Sequence, residues 1–452
     1  MPTAASGDGR EPRWLWRWLV ALNGALLVAA LVLGAWMSRR AFFLALLVPV
    51  AIVPFSYARW RLHRAVARTL ADAPLARRAF AAAGMLCDAV LVAQLLTGRS
   101  AEAVPLLQSP GVTWVGPVWF SAHALLFLAY SAVGALRGLR RLGIRAGRRL
   151  GRSERPPREA GLASPSRREF LQRASLVGAG VPFYVSLSNV PLSYDLRVEE
   201  REIAVPHWPR ALDGLRIVHL SDIHVGGGMT RDRLFRMAEL ANSCRPDLVA
   251  HTGDFLTHRS GDFDRPLYEA LATIQARFGQ WACLGNHDYD DSDRLVSRLG
   301  GAGVTVLQDR LVEIDVAGQP LEIAGADFVF PRTNQAEIYA RLVASWPPRG
   351  ATPRLLLNHD PRAFFSLPAD AADLVLSGHT HGGHIGIQLG RDSALTLVGM
   401  VGIPDQGIFA RGDMRLFVTR CVGFYGYPMR LGIPPEVALL VVRAPRSAAT
   451  PT

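Results

Sequence analysis

The sequence predicts an α/β domain with mixed sheets covered by helices, preceded by an all-α membrane region. Four long apolar runs fill the first 140 residues, and strand-like runs alternate with helical patterns after about residue 195. The balance of charge also changes between these two parts. A chain of 452 residues, 50% of them hydrophobic, is long enough for two or three domains.

Each apolar run is close to the roughly 20 residues that a helix needs to cross the hydrocarbon core of a bilayer. Tryptophans bracket the first run, as they do at a membrane interface. Asp88 lies inside the third run, where it has a functional role, makes a helix–helix contact or marks a small error in the span. We therefore expect a four-helix transmembrane region over residues 1–140. The runs lie at 18–37, 41–58, 80–96 and 118–136.

The distribution of arginine predicts the orientation of this region. Residues 1–173 hold 24 arginines against 8 acidic residues, whereas residues 174–452 hold 26 arginines against 30 acidic residues, and the chain has no lysine. Arginine-rich blocks lie between the second and third runs and again from Arg137 to Arg158. By the positive-inside rule, both blocks are cytoplasmic. The slightly acidic C-terminal part does not favour nucleic-acid binding.

Two short segments follow the apolar runs. Residues 141–165 are rich in Arg, Gly and Pro and predict a poorly ordered cytoplasmic linker. Residues 166–194 begin with Ser-Arg-Arg-Glu-Phe-Leu-Gln and continue as a moderately apolar stretch, which resembles a twin-arginine export signal and also fits a fifth membrane span. Either interpretation carries residues 195–452 across the membrane. A re-entrant or surface helix is the alternative and would leave them in the cytoplasm.

The C-terminal part, residues 195–452, has the pattern of a soluble α/β domain. Helical patterns fall at Arg231–Ser243 and Arg265–Arg277, and the end of the chain is rich in strands. We therefore expect mixed sheets rather than one parallel sheet. The predicted strands lie at 215–221, 247–252, 280–284, 303–307, 321–325, 354–358, 373–377, 395–399, 415–419 and 437–442.

Five of these strand ends carry side chains that bind metals in proteins. Asp222 and His224 follow the first strand, and a period of two would place them on the same side of an extended backbone. A sharp turn is expected next, at the three glycines of 226–228. Sheets of this class place their ligands at the carboxyl ends of strands. The candidate ligands are Asp222, His224, Asp254, Asn286, His359, His379 and His381.

Seven nitrogen and oxygen donors are too many for one tetrahedral site, but they suit two ions that share a bridging carboxylate. Mixed imidazole and carboxylate ligands favour two divalent ions of Mn, Fe or Zn. The four cysteines are widely spaced, which indicates buried small hydrophobic residues rather than a thiolate site.

The five motifs, in this order and each after a strand, resemble the calcineurin-like metallophosphoesterase superfamily over residues 210–443. Within it, they are similar to bacterial membrane-anchored or exported phosphoesterases, which also share Pro434-Pro435-Glu436. The resemblance implies a four-layer αββα sandwich after the transmembrane region of four to five helices. The motifs are Asp222-Ile223-His224, Gly253-Asp254, Gly285-Asn286-His287-Asp288, His359 and Gly378-His379-Thr380-His381.

The resemblance also implies roles for single residues. Asp254 would bridge two metals, and His287 would be the catalytic imidazole that steadies the transition state or protonates the leaving oxygen. Relatives usually carry Gln where this chain has His384, for which we favour a substrate-side or neutral position over a ligand role. The first metal would be bound by Asp222, His224 and His381, and the second by Asn286, His359 and His379.

These residues predict hydrolysis of a phosphodiester or pyrophosphate by attack of a hydroxide that bridges the two metals. A Ser nucleophile is disfavoured because the chain has no Gly-x-Ser-x-Gly elbow. The apolar runs imply a lipid bilayer as partner, and by association a lipid-linked or nucleotide-lipid substrate at the outer side of a bacterial inner membrane. The oligomeric state is left open. The alternative is that the four-span region is a sensor or transporter, regulated by the phosphoesterase domain.

Overall fold

The computed structural model divides the chain into two units, Met1–Ser188 and Asn189–Thr452. The predicted span at 18–37, the glycine turn at 226–228 and residues 150–164 of the predicted linker lie outside the described residues. The structure describes residues 39–70, 72–97, 112–149, 165–225, 229–257, 264–330, 334–391, 393–424 and 429–445.

Long helices form the described part of the first unit, and the last of them ends in the second unit. Only two stretches of the described residues, Val115–Ala146 and Arg173–Tyr194, are long and apolar enough to cross a membrane, judged by length and composition. The helices are α1 (Arg39–Thr69), α2 (Pro74–Thr97), α3 (Val115–Arg149) and α4 (Pro165–Tyr194).

We expected four to five membrane-spanning helices, but the described part of the chain contains only two candidates. The predicted spans at 41–58 and 80–96 are helical, in α1 and α2. However, the side chains described for α1 begin only at Pro54 and include four arginines, and α2 carries charged residues near its start and in its middle, so neither is among these two stretches. The predicted linker also begins as helix, because α3 continues through its arginine-rich end to Arg149.

Asp88 makes the helix–helix contact that was one of its possible roles. Its carboxylate lies 3.6 Å from Arg59 Nε of α1 and accepts a hydrogen bond of 2.7 Å from Trp119 Nε1 of α3. The Arg59 guanidinium also lies 5.1 Å from the centroid of the Trp119 ring. This buried carboxylate thus joins three helices of the first unit.

The second unit is built from two six-stranded sheets and a separate two-stranded hairpin. The strands are β1 (Arg197–Ala204), β2 (Leu215–Leu220), β3 (Leu248–Thr252), β4 (Gln280–Cys283), β5 (Val304–Val306), β6 (Arg310–Val316), β7 (Gln319–Ala326), β8 (Arg354–Asn358), β9 (Leu374–Ser377), β10 (Gly386–Gln388), β11 (Ala394–Thr396), β12 (Gly407–Arg411), β13 (Met414–Val418) and β14 (Glu436–Arg443).

Both large sheets are mixed. The first has the order β1-β14-β2-β3-β4-β5, and the second has the order β12-β13-β9-β8-β7-β6. Strands β2 to β5 are parallel, and β14 runs antiparallel to β2. Strands β7, β8, β9 and β13 are parallel, with antiparallel β6 and β12 at the two edges. The loops that leave β2, β3, β4, β8 and β9 therefore start from carboxyl ends of parallel strands.

The sheets pack face to face, with helices on their outer faces. Ile217 of β2 and Leu355 of β8 belong to one hydrophobic core between the sheets. The next residues along these strands point the other way, because side chains alternate along a strand: Val218 packs with the first helical layer and Leu356 with the second. The layer order is helices, sheet, sheet, helices. The helices of these layers are α5 (Arg231–Ser243), α6 (Arg265–Leu271), α7 (Ser292–Gly301), α8 (Gln335–Ser345) and α9 (Ala363–Ser366), and a further short helix, α10 (Leu397–Met400), follows β11.

Candidate metal centre

The structure brings all seven predicted ligands together at the carboxyl ends of five strands. They follow β2, β3 and β4 of the first sheet and β8 and β9 of the second. Asn286 joins them through its Oδ1, which is 3.1 Å from His359 Nε2. The other candidate ligand atoms form three groups, each within 4.8 Å, namely Asp222, His224 and Asp254; Asp254, His359 and His379; and Asp222, His381 and Cys421.

The carboxylate of Asp254 lies between two imidazoles that were assigned to different metals. Its Oδ2 is 3.4 Å from His224 Nε2 and 3.2 Å from His359 Nε2. Its other oxygen accepts a hydrogen bond of 2.8 Å from the backbone N–H of His287. This arrangement is suited to a carboxylate shared by two cations.

Asp222 is held between the loops of both sheets. Its Oδ1 is 3.2 Å from His381 Nε2 and 3.7 Å from His224 Nε2. Its Oδ2 accepts hydrogen bonds from the backbone N–H of His379, at 2.8 Å, and from the hydroxyl of Ser221, at 2.5 Å. The carboxylate therefore keeps one oxygen turned toward the imidazoles.

The backbone at these ligands is left-handed rather than extended. The expectation that an extended backbone aligns Asp222 and His224 was wrong, because β2 already ends at Leu220 and their φ angles are 53° and 50°. His379 and His381 have φ angles of 67° and 51°. Such conformations are uncommon and strained for residues other than glycine, and they cluster at functional sites. Here they turn alternate side chains into one pocket.

Two glycines allow the loops to approach this closely. A Cβ atom at Gly378 would lie 2.0 Å from Ser221 Oγ and 2.2 Å from Asp222 Oδ2. A Cβ atom at Gly285 would lie 2.2 Å from Asp254 Oδ1. Any larger residue at either position must therefore displace a carboxylate of the centre.

The charges of the centre favour a bound cation. Burial opposes ionisation of Asp222, but the imidazoles of His381 and His359 hold its pKa well below the usual range. Burial alone would lower the pKa of His359, yet the carboxylates of Asp254 and Asp222 raise it to about 10. The imidazole thus takes up positive charge that a metal would otherwise supply. Buried nitrogen and oxygen donors around two carboxylates fit divalent ions of the Mn, Fe and Zn type.

One hydrogen bond orients the ring of His359 for metal binding. Its Nδ1 lies 2.6 Å from the carbonyl oxygen of Thr252, to which it donates. In the neutral imidazole that can bind a metal, the proton is therefore on Nδ1, and Nε2 faces Asp254 and Asn286. Metal-binding histidines are commonly oriented by such a bond to a backbone carbonyl.

The two remaining predicted site residues lie beside the ligands. His287 is partly exposed, and the centroid of its ring is 5.3 Å from that of His224. The ring centroid of His384 is 4.6 Å from that of His381, and burial lowers the pKa of His384 well below its usual range. His384 belongs to none of the ligand groups found among the described residues.

Asp288 has a bracing role that its spacing did not indicate. Its carboxylate accepts hydrogen bonds from the backbone N–H groups of Asp254, at 2.7 Å, and Gly285 and Phe255, both at 2.9 Å. It therefore ties the loop after β3 to the loop after β4. The Gly-Asn-His-Asp motif contains this residue, so the resemblance was the signal that could have identified it.

Arg430 and Cys421 were not identified from the sequence. Arg430 is fully buried and donates to the carbonyl oxygens of His381, at 3.1 Å, and of Arg420 and Gly423, both at 2.7 Å. The thiol of Cys421 donates to Asp222 Oδ2 at 3.1 Å, and burial raises its pKa well above the usual range. No spacing rule connects either residue to the ligands.

Glu436 of the Pro-Pro-Glu motif braces the segment that carries Cys421. Its carboxylate accepts hydrogen bonds of 2.9 Å from both the backbone N–H and Nε of Arg420 and of 3.1 Å from the hydroxyl of Thr419. This contact gives a structural reason for a carboxylate at the start of β14.

Comparison with known proteins agrees with this geometry. Residues 215–383 match the family model described as calcineurin-like phosphoesterase. An uncharacterized metallophosphoesterase of Aquifex aeolicus is 31% identical over 266 residues, which cover 56% of this chain and 93% of the relative. The chain belongs to the calcineurin-like phosphoesterase family. The uncharacterized metallophosphoesterase YkoQ of Bacillus subtilis is 30% identical over 234 residues, or 49% of this chain and 82% of that protein.

One relative of this calcineurin-like phosphoesterase is named as a transmembrane protein. The "Transmembrane protein with metallophosphoesterase domain" of Danio rerio is 30% identical over 259 residues. The match covers 55% of this chain, and the chain spans 57% of the length of that relative. Together with the two apolar helices, this relative suggests association with a membrane.

Proposed function

We propose that the chain is a membrane-attached phosphoesterase that uses two divalent ions to hydrolyse phosphodiester or pyrophosphate bonds. The position of Asp254 carries this proposal, because its carboxylate lies within 3.4 Å of imidazoles from both predicted metal groups. One ion would leave half of this donor set unused. A shared carboxylate between two sets of donors is the arrangement expected of a two-metal hydrolase.

The way the ligand atoms cluster divides the donors between the two ions. Asp254 serves both, and Asn286 contributes a neutral oxygen beside His359. When bound, such ions neutralise phosphate oxygens and activate water as a nucleophile. The first ion would be held by Asp222, His224 and His381, and the second by Asn286, His359 and His379.

His287 is the side chain best placed to move a proton. It is partly exposed at the rim of the centre, and its backbone is fixed by the bond to Asp254. Its ring lies beside His224. A protonated imidazole at this position can donate to the leaving oxygen of the substrate, a contribution typically worth about 10²–10⁴-fold in rate.

We further propose that the catalytic domain lies on the outer side of a bacterial cytoplasmic membrane, held by more than one span. Arginines flank the start of the apolar stretch Arg173–Tyr194, and the domain follows its other end. The positive-inside rule then places that other end outside the cytoplasm. Attachment of this kind favours a lipid-linked or other envelope phosphoester as substrate.

Hydrolysis of two chromogenic substrates tests the activity. The purified full-length chain is assayed with bis-(p-nitrophenyl) phosphate and with p-nitrophenyl phosphate, each with Mn²⁺, Zn²⁺ or Mg²⁺. We expect metal-dependent turnover that is faster with the diester. Faster turnover of the monoester would overturn the diesterase assignment. No turnover of either substrate with any metal would overturn the assignment of the chain as a phosphoesterase.

Fusion of alkaline phosphatase after residue 445 tests the location. The fused enzyme is active only outside the cytoplasm, so we expect activity in whole cells. A fusion at residue 72, between α1 and α2, is the matched control and should be inactive. The reverse pattern would place the catalytic domain in the cytoplasm.

A further inference from the structure

The loop of residues 378–384, which carries His379 and His381, is called the metal loop, and an exposed apolar surface lies on the segment that follows it. Six large aliphatic side chains between residues 387 and 401 are each between 52% and 73% exposed. Single exposed apolar residues are common on proteins, but a cluster of this kind marks an interaction site. We call this surface the apolar face. Its residues are Ile387, Leu389, Leu395, Leu397, Met400 and Val401.

The apolar face is one side of the hairpin formed by β10 and β11. Ile387 and Leu395 are direct cross-strand partners, so their side chains lie on the same face. Leu389 continues the pairing, since its N–H donates to the carbonyl oxygen of Ser393 at 2.9 Å. Thr396, the residue after Leu395 in β11, is buried. The hairpin thus turns apolar side chains toward solvent and a polar one inward, the reverse of a sheet packed on a protein core.

This hairpin is fixed to the metal loop. It begins two residues after His384. A Cβ atom at Gly383 would lie 2.7 Å from the Cβ atom of Thr396, so the loop and β11 are in close contact. The apolar face therefore keeps a constant position relative to the metal centre.

The base of the hairpin also lies next to the end of α4. The N–H of Gly386 donates to the carbonyl oxygen of Leu431 at 2.9 Å. The following N–H, of Gly432, donates to Asn189 Oδ1 at 2.9 Å, and the N–H of Arg430 donates to Ser193 Oγ at 2.8 Å. Asn189 and Ser193 are in the last turns of α4, where the apolar stretch Arg173–Tyr194 ends. Three consecutive residues thus connect the hairpin to the end of a candidate membrane span.

We propose that the apolar face is an interfacial membrane-binding element that holds the metal centre at the surface of a phospholipid bilayer. A span that ends beside the hairpin brings the hairpin to the level of the lipid headgroups. Burial of six aliphatic side chains at the headgroup–acyl boundary is favourable. Among the described residues β10 and β11 form a sheet of only two strands, so most of the backbone along its outer edges has no strand partner, which favours the interface over the hydrocarbon core. The occupant is the lipid surface, and this inference rests on the membrane attachment proposed above.

Spin labels test the depth of the apolar face. Leu389→Cys and Leu395→Cys are made separately in a Cys87→Ser chain, because the other three cysteines are buried. Asp413→Cys is the control, since Asp413 is exposed in the turn before β13, at the opposite ends of the strands from the metal centre. The labelled full-length chains are placed in vesicles of phosphatidylethanolamine and phosphatidylglycerol. Collision rates with O₂, which enters lipid, and with a water-soluble nickel chelate are measured.

We expect the labels at residues 389 and 395 to collide several-fold more with O₂ than with the nickel chelate, and the label at residue 413 to show the reverse. Water-type collisions at all three positions would overturn the proposal. Dipolar broadening at 389 and 395, lost on dilution with unlabelled chain, would assign the face to a second copy and would also overturn it. An alkaline carbonate wash separates the two proposals. Release of the chain by the wash would contradict membrane attachment. Retention of the chain, with labels that collide mainly with the nickel chelate, would contradict only the proposal that the apolar face binds the membrane.

Discussion

Replacement of Asp254 by Asn removes the charge that the two metal groups share and leaves the shape of the side chain. Asp254 belongs to two of the ligand groups, and within each group the ligand atoms lie within 4.8 Å of one another, so a cation held by either group would lie within about 5 Å of its carboxylate. A unit charge about 5 Å from another contributes about 3 kcal/mol at an effective dielectric constant of about 20. This is about 10²-fold in affinity, and it is a lower bound because each ion is divalent.

We therefore expect Asp254→Asn to weaken binding of both metals by at least about 10²-fold. Metal content after gel filtration is measured by mass spectrometry, and affinities are measured by competition with a chelator. Loss of one ion with full retention of the other would contradict the shared position of Asp254. Retention of both with unchanged affinity would contradict the metal centre itself.

The matched control is Asp264→Asn. Asp264 is also fully buried and pairs with Arg298, but it lies outside the candidate centre. This variant should lose some stability and keep its metal content. Equal loss of metal from both variants would mean that Asp254 acts through folding rather than through its charge.

Three further predictions use different measurements. His287→Ala should keep both metals and lower the turnover number by about 10²–10⁴-fold; loss of metal would show that the imidazole is a ligand. Gly378→Ala should lower metal occupancy, because the new Cβ would displace Asp222, whereas Gly350→Ala, in open space, should not. Burial lowers the pKa of His251 to about 4, so the unfolded chain binds a proton that the fold excludes between about pH 4 and 6.5. Denaturant unfolding at pH 7 and 5 should show a loss of stability on acidification that is about 2 kcal/mol smaller in His251→Gln, and an unchanged loss would contradict the buried neutral histidine.

The strands that could be predicted from the sequence are those buried on both faces. Strands such as β2 and β8 read as continuous apolar runs, because one face packs on the other sheet and the opposite face packs on helices. The strand β1 (Arg197–Ala204) was missed. It carries five charged residues, and its strand conformation depends on parallel pairing with β14, which is more than 200 residues away. The local sequence pattern of residues 197–204 gives no indication of this pairing with β14.

The ligands could be predicted because each lies immediately after a predicted strand. Their orientation could not be predicted, since the left-handed φ angles of Asp222 and His379 come from turns fixed by the opposite sheet. The N–H of His379 reaches across to Asp222 at 2.8 Å, and the glycine that precedes His379 leaves room for this contact. The sequence thus identifies which side chains are metal donors, whereas contacts between the two sheets determine how those side chains are oriented.

The bracing of the centre explains why strained ligands are tolerated. A left-handed conformation costs on the order of 1–3 kcal/mol for a residue other than glycine, so several in one pocket must be held by the surrounding structure. Asp288 fixes two loops of the first sheet through three backbone N–H groups, and Arg430 fixes the loop of His381 through carbonyl oxygens. Donors held in this way lose little entropy when a cation binds, because the folded chain has already ordered them. The same bracing joins the His381 loop to the segment 430–432 that contacts the end of α4, so the geometry of the centre and its distance from a membrane would be set by one set of contacts.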